Sequence, residues 1–209
     1  INTKSGITIN GQYGQAGNTL STFVRGGQNR QILVLIDGIA VNDPSQIENN
    51  FDLNLLSLDQ IESIEILKGA SSTLYGSGAA TAVINIKLKE ASKDKVSANF
   101  RSVLGTNQSS KDDNYGIEDF RNSVSVNGTL DKFNYLASFG NQYTNGLSAI
   151  SSGTESDSYN AINGNLKLGY TFSNAFKAAF YGSFDKYKAE FDDAFSGIDT
   201  DDLSTSKQY

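Results

Sequence analysis

From Lys93 onward the chain alternates apolar and polar positions. Val96, Ala98, Phe100 and Leu104 share one parity, with Ser97, Asn99 and Arg101 between them. Val124, Val126, Gly128 and Leu130 repeat the pattern against serine, asparagine and threonine, and Phe133, Tyr135, Ala137 and Phe139 do so on the opposite parity. Ile162, Leu166, Leu168, Tyr170 and Phe172 follow, then Phe176, Ala178, Phe180, Gly182 and Phe184. A period of two places successive side chains on opposite faces, so the pattern predicts five strands with one apolar and one polar face, near 96–105, 122–130, 133–143, 162–172 and 175–190. The connections at Asp131-Lys132 and Ser173-Asn174-Ala175 are short, whereas 106–121 and 144–161 are long and polar. Strict alternation of short turns and long loops, with Phe133, Tyr135, Tyr143, Tyr170, Phe172 and Phe176 at strand ends, predicts an antiparallel meander of a transmembrane β-barrel rather than a soluble sandwich.

Residues 1–90 follow a different grammar. Ile32–Ile36 is a continuous apolar run closed by Asp37-Gly38, and Ile64–Leu67 and Val83–Ile86 are short β-branched runs around a Gly/Ser/Ala turn. Leu20–Arg25 reads as a strand, 56–61 as a short helix capped by Ser57 or Asp59, and 70–74 as a helical turn before Gly76. The expected fold is mainly β, with an α+β domain over 1–90 and barrel strands over 91–209.

Composition narrows the chemistry. The 209 residues contain neither histidine nor cysteine, which removes Ser/His and Cys/His catalysis, thiolate and imidazole metal sites, and disulfides. No paired catalytic constellation replaces them, so an enzyme is not expected. The net charge of -6, with lysines and arginines scattered, argues against a grip on nucleic acid or on anionic lipid. No apolar run approaches the roughly 20 residues of a membrane-spanning helix. A chain that starts Ile-Asn-Thr-Lys, without Met or signal peptide, and stops at Ser-Lys-Gln-Tyr reads as part of a longer protein.

The pieces of the first domain occur in a recognisable order: Phe23-Val24-Arg25-Gly26, then Val34-Leu35-Ile36-Asp37-Gly38, then Glu65-Ile66-Leu67-Lys68-Gly69, Leu74-Tyr75-Gly76 and Val83-Ile84-Asn85-Ile86. In sequence and spacing this resembles the plug domain of TonB-dependent outer-membrane receptors, departing from it at Ala70 and at Thr81-Ala82. The resemblance implies a plug held inside a barrel of about 22 strands, of which this chain would supply the first five or so. It implies a Gram-negative outer-membrane location and uptake of a scarce, large small-molecule ligand. Its partners would be membrane lipid, a TonB-type energising protein in the periplasm, and a surface lipoprotein or other chains completing the barrel.

The resemblance also assigns residues. Gln12, Tyr13, Gln15 and Asn18, with Asn42, Asp43, Gln46 and Asn49, would lie in the apical plug loops that touch ligand. Arg25, Asp37, Glu62, Glu65 and Lys68 would seat the plug against charges on the barrel wall. The segment 191–200, FDDAFSGIDT, is similar to a loop of the cobalamin branch whose calcium-binding aspartates match Asp193 and Asp199. Asp157 and Glu155 would join them as oxygen ligands for Ca²⁺. Leu147 and Ser148 stand where a further family ligand follows a glycine, which leaves the set incomplete. A cobalamin-like ligand is therefore expected, with a siderophore or haem receptor, or a non-transporting outer-membrane subunit, as alternatives. Gly76-Ser77-Gly78 is a turn rather than a phosphate cradle, since a strand and not a helix follows it.

Overall fold

In the computed structural model the described residues are 6–11, 14–18, 20–44, 48–49, 51–107, 116–146, 156–193 and 198–209, with side chains undescribed at 193 and 198–201. They form two bodies, one made of 1–14, 18–54 and 60–89, the other of 15–17, 55–59 and 90–209.

The first body contains two sheets. β1 (Ile7–Asn10) pairs antiparallel with β2 (Ser21–Val24). β3 (Ile32–Ile36), β4 (Ile39–Ala40), β5 (Ile61–Lys68) and β6 (Ala82–Leu88) form a second sheet in the order β4-β3-β6-β5, with β3 parallel to β6 and the other pairs antiparallel. The central pair explains the unbroken apolar runs: Ile32 to Leu35 and Ala82 to Ile84 are buried on both faces. Leu33, Leu35, Ala79 and Val83 make one packed cluster. Instead of the expected helix at 56–61, two 3-10 turns occupy Leu53–Leu55 and Leu58–Gln60, and β5 follows directly from the second at Ile61. A single helical turn, α1 (Ser72–Tyr75), ends at Gly76, whose φ of 90° with ψ of -178° is a conformation essentially reserved for glycine.

Two motifs of this body are hairpin turns. Asp37 and Gly38, at φ of 48° and 83°, join β3 to β4, and Arg25 and Gly26, at 49° and 84°, reverse the chain between Val24 and Gly27. Positive φ at both central residues is the twist that continues directly into a hairpin, which accounts for the glycine in second place of each pair.

The second body is a six-stranded antiparallel meander, β7 (Ser97–Gly105), β8 (Asp119–Leu130), β9 (Phe133–Thr144), β10 (Tyr159–Thr171), β11 (Lys177–Asp193) and β12 (Ile198–Gln208), each strand beside its sequence neighbours. Five strands match the expected positions. The sixth corrects the reading of 191–200 as a loop: only 194–197 fall between β11 and β12, and Asp199 lies within β12. Its serine, threonine and aspartate content hides any apolar alternation. β8 to β11 run 12 to 17 residues, longer than the roughly 9–11 that a tilted strand needs to cross a bilayer.

The register fixes the faces. Phe100, Val124, Phe139, Gly164 and Phe184 are successive cross-strand partners, as are Ala98, Val126, Ala137, Leu166 and Gly182. On this apolar face Phe100, Val124, Val126, Phe139, Leu166 and Phe180 are all solvent-exposed. Aromatic groups close it at both ends. Phe133 stacks on Tyr135, and Phe172 contacts Tyr170 at 4.7 Å and Phe176 at 5.2 Å beside the short turns, while Phe120 stacks on Tyr143 at 5.2 Å at the other end. An apolar band between aromatic rims is the outer surface of a membrane barrel.

The chain entering β7 is pinned over the β8–β9 turn: Thr129 N donates to the Asp94 carbonyl at 2.8 Å, Thr129 Oγ1 to that of Ser92 at 2.7 Å, and the Tyr135 hydroxyl to that of Lys95 at 3.0 Å. Buried Gly128 sits beneath, and a β-carbon there would run into the Lys95 carbonyl. Gly128→Val in the full-length protein should lower stability by about 1–3 kcal/mol through overpacking. Gly182→Ala, whose added methyl meets only the Phe180 ring edge at 3.5 Å, should be near neutral in the same thermal-unfolding experiment.

Candidate functional site

The polar face of the meander is occupied. Tyr159 and Tyr187 are in ring contact at 5.6 Å and buried together with Ala189; Ala16, Leu55 and Ala161 pack against them. Gln15 Nε2 donates to the Glu190 carbonyl at 3.3 Å, and Arg101 pairs with Asp59 at 3.3 Å. Residues 15–17 and 55–59, drawn from the N-terminal ninety, therefore belong to the same body as the wall, on the face opposite the apolar band. The face that holds them is the inner one.

Buried oxygens collect on that face. Asp185 is opposite Asn163, and one step along the strand Asn165 is opposite both Ser138 and Ser183. Asp185 and Asn165 are over nine-tenths buried, and Asp185 Oδ1, Asn165 Oδ1 and Ser138 Oγ have no hydrogen-bond partner among the described residues. Asp157, at the entry to β10, is also buried, against the chain leaving β9 at Gly146, where φ is 70° and a β-carbon would meet the Asp157 carbonyl. A bulge between Phe191 and Asp193 breaks the parity of β11, so that Asp192 is buried and Phe191 is exposed. Buried oxygens of this kind call for a hydrogen-bond donor such as water beside them. Sequence reading missed Tyr159, Asn165, Asp185 and Tyr187. The signal was the odd parity of β10 and β11, read only as the polar complement of the apolar face.

The residues assigned to ligand contact divide. Gln12, Tyr13 and Gln46 lie outside the described residues. Gln15 is half-buried on the wall and Asn18 is exposed. The Asn42 Oδ1 accepts from Val34 N at 2.8 Å while its Nδ2 donates to the carbonyls of Ile32 at 3.0 Å and Asn49 at 2.8 Å. The side chain thus braces β3 through backbone groups on both its oxygen and its amide nitrogen. Asn49 contributes its carbonyl to that brace from a φ of 47°, and Asp43 is half-buried beside it in sequence.

Two of the residues expected to seat the plug bond within its own sheet. Asp37 Oδ1 accepts from Leu88 N at 2.9 Å, which ties the β3–β4 turn to β6. Glu65 pairs with Lys87 at 2.8 Å across the β5–β6 ladder. The Lys87 and Asn85 hydrogen bonds, then the Lys87 charge, hold its carboxyl below the usual range. The small stabilisation from this exposed pair is present above the ordinary carboxylate pKa and fades as pH falls through the lowered one. Arg25 and Glu62 are exposed, Arg25 serving the hairpin turn, and Lys68 is half-buried at the end of β5. Asp37 and Glu65 therefore stabilise the plug's own sheet, and Asp59 pairs with Arg101 on the wall.

Of the metal residues, Glu155 lies outside the described residues, and Asp193 and Asp199 are placed by backbone alone. Among the described residues no three carboxylates converge on a common point.

Residues 1–83 match the family model of the TonB-dependent receptor plug domain. These residues therefore carry a plug domain of the TonB-dependent receptor type. The chain is 33% identical over 101 residues to the ferric enterobactin receptor of Pseudomonas aeruginosa, covering 44% of this chain and 14% of that one. It is 36% identical over 93 residues to a vitamin B12 transporter of Vibrio vulnificus, covering 44% of this chain and 15% of the transporter. It thus spans about a seventh of the length of these relatives. Among solved structures, the siderophore receptor PirA from Acinetobacter baumannii superposes with a TM-score of 0.67 over 89% of this chain and 28% of its own, at 23% identity. The copper transporter OprC does so with a TM-score of 0.67 over 88% and 26%, at 12% identity. Both likenesses speak for the fold, and they extend well past the plug into the wall strands. Siderophore and cobalamin relatives match comparably, so the similarity does not single out the cobalamin branch.

The Asn42 brace generates a test. Asn42→Ala should destabilise the plug by about 1–3 kcal/mol, the cost of unsatisfied, partly buried backbone groups, and Asn18→Ala should cost much less. Hydrogen exchange at the Val34 amide reads this directly: protection should drop in the first variant and hold in the second.

Proposed function

We propose that this chain supplies the plug and part of the barrel wall of an outer-membrane receptor that takes up a scarce metal complex from outside the cell. The observation that carries the reading is the two-faced wall, with an exposed apolar band closed by aromatic rims on one face and segments 15–17 and 55–59 packed on the other. A wall of that kind is stable with lipid outside and a filled lumen inside. Its open edges, β7 and β12, require further strands of the whole receptor. The short turns at Asp131 and Ser173 then face the periplasm, and the long connections face outward. A TonB-type partner in the periplasm would supply the energy that remodels the plug, and the protein would be a transporter rather than an enzyme.

For the ligand, a corrinoid is the reading supported by the acidic outer segment around Asp157, Asp193 and Asp199, with Ca²⁺ held by those carboxylates. A ferric siderophore is the second reading, favoured by the similarity to the enterobactin receptor.

Two measurements test this. Cysteine placed at Ser156 should react with an impermeant maleimide on intact cells and cysteine at Asp131 should not; the reverse pattern refutes the orientation. Cobalamin and ferric enterobactin should then be titrated onto the full-length receptor with and without Ca²⁺. Saturable cobalamin binding that weakens roughly 5- to 100-fold on removing Ca²⁺, or in Asp193→Ala with Asp199→Ala, supports the first reading, that range being usual for linkage between two sites. Binding of the ferric complex alone, indifferent to Ca²⁺, supports the second.

A further inference from the structure

The net charge of -6 gives no reason to expect affinity for anionic lipid, but the register gathers cations on the membrane-facing surface. Lys186 and Lys188 continue the parity of Phe180, Gly182 and Phe184 along β11, while Asp185 and Tyr187 between them are buried on the inner face. Lys186 is directly opposite Lys207 on β12, and Lys188 is opposite Thr205 on one side and Asn160 on the other. None of the three lysines forms an ion pair within 4 Å among the described residues. Glu190, next on the same parity, has its Oε2 engaged by Ser158 N at 3.0 Å.

Two lysines directly opposite each other repel, a destabilising arrangement on a sheet unless an anion neutralises it. Cross-strand partners have β-carbons about 5 Å apart, and Lys188 lies about 7 Å further along its strand, so three flexible ammonium groups can close on one or two phosphates. The row nearer the middle of the band is aromatic: Phe184 contacts Tyr209 at 5.6 Å. Beyond it lie Gly182 and Leu166, then Phe180 and Leu168. From the middle of the strand toward its outer end the surface therefore reads apolar, aromatic, then the Lys186–Lys207 row and the row of Lys188 with Asn160 and Thr205, with Glu190 opposite Leu203 beyond them.

We propose that Lys186, Lys188 and Lys207 bind the phosphorylated headgroup of a lipid in the outer leaflet, with Asn160 and Thr205 as flanking hydrogen-bond partners and the acyl chains lying over Phe184, Leu166 and Phe180. The order of surface chemistries matches an amphiphile standing upright in the leaflet, and the three charges match an anionic head rather than a zwitterionic one. The site rests on the proposed membrane orientation and is separate from the ligand path on the inner face.

The test uses the full-length receptor in nanodiscs, with lipids retained through gel filtration counted by mass spectrometry. Diphosphoryl lipid A should be retained at least tenfold better than the same lipid with both phosphates removed. Lys186→Gln combined with Lys207→Gln should abolish that preference, whereas Lys167→Gln, on the inner face, should keep it. The comparison of the two lipids on the unaltered receptor needs no variant and stands if the double variant fails to fold. Millimolar inorganic phosphate should not displace the lipid; displacement would make this a free-phosphate site and overturn the assignment. Equal retention of both lipids, with acyl chains still taken up, rejects the headgroup site and leaves the membrane reading intact. Uptake of neither lipid rejects both.

Discussion

Inside a hydrocarbon layer each unpaired backbone N–H or C=O costs several kcal/mol, and the wall is arranged around that cost. β8, β9 and β10 are bonded on both sides along nearly their whole length, and β11 is paired with β10 from Lys177 to Ala189 and with β12 from Asp185 to Asp193. Once the ladder is fixed, parity decides everything else, because a slip of one residue would carry all the apolar side chains inward and Asp185, Asn165 and the two tyrosines into lipid. The two-residue Asp131-Lys132 turn, with Asp131 at a φ of 53°, sets the register between β8 and β9, and the hydrogen bonds that Ser173 Oγ accepts from Ala175 N and Phe176 N shape the next short turn. The bulge after Phe191 is where this rule relaxes, and there the chain has passed the band.

The plug answers to a different constraint. Its central strands are buried on both faces, so its stability comes from continuous apolar runs, and its motifs are the reversals that let those runs stack. Arg25-Gly26 and Asp37-Gly38 are hairpin turns, Gly76 caps a single helical turn, and the Asp37 carboxylate ties a turn to β6. Of the charges expected to meet the wall, Asp37 and Glu65 fasten the plug's own sheet.

Period two was legible because the outer face of a membrane wall is uniformly apolar: positions such as Val124, Val126, Leu166 and Phe180 could be placed from their spacing alone. The plug strands were legible from Ile32–Ile36 and Val83–Ile86, and their order from the motif resemblance. β12 was not legible, because its membrane-facing positions carry lysine, threonine and leucine in place of an apolar series. The site was harder still. A side chain such as Asn42 looks the same in sequence whether it meets a ligand or three backbone groups, and only the distances separate the two. The inner-face cluster at Tyr159, Asn165, Asp185 and Tyr187 depends on register between strands, which no single strand encodes. The lysine group on the outer face is of the same kind, formed by the pairing of Lys186 with Lys207.

The central claim is that alternate residues of one strand face lipid and lumen. Spin labels placed singly at Asn165, Leu166, Lys167, Leu168, Gly169 and Tyr170 of the full-length receptor in its membrane measure it, through collision with oxygen, which concentrates in lipid, and with a water-soluble nickel complex. Oxygen accessibility should peak at 166, 168 and 170 and fall at 165, 167 and 169, with nickel accessibility low at the even positions. A profile without a period of two, or one with the peaks at the odd positions, would contradict the assignment of the faces and the account built on it.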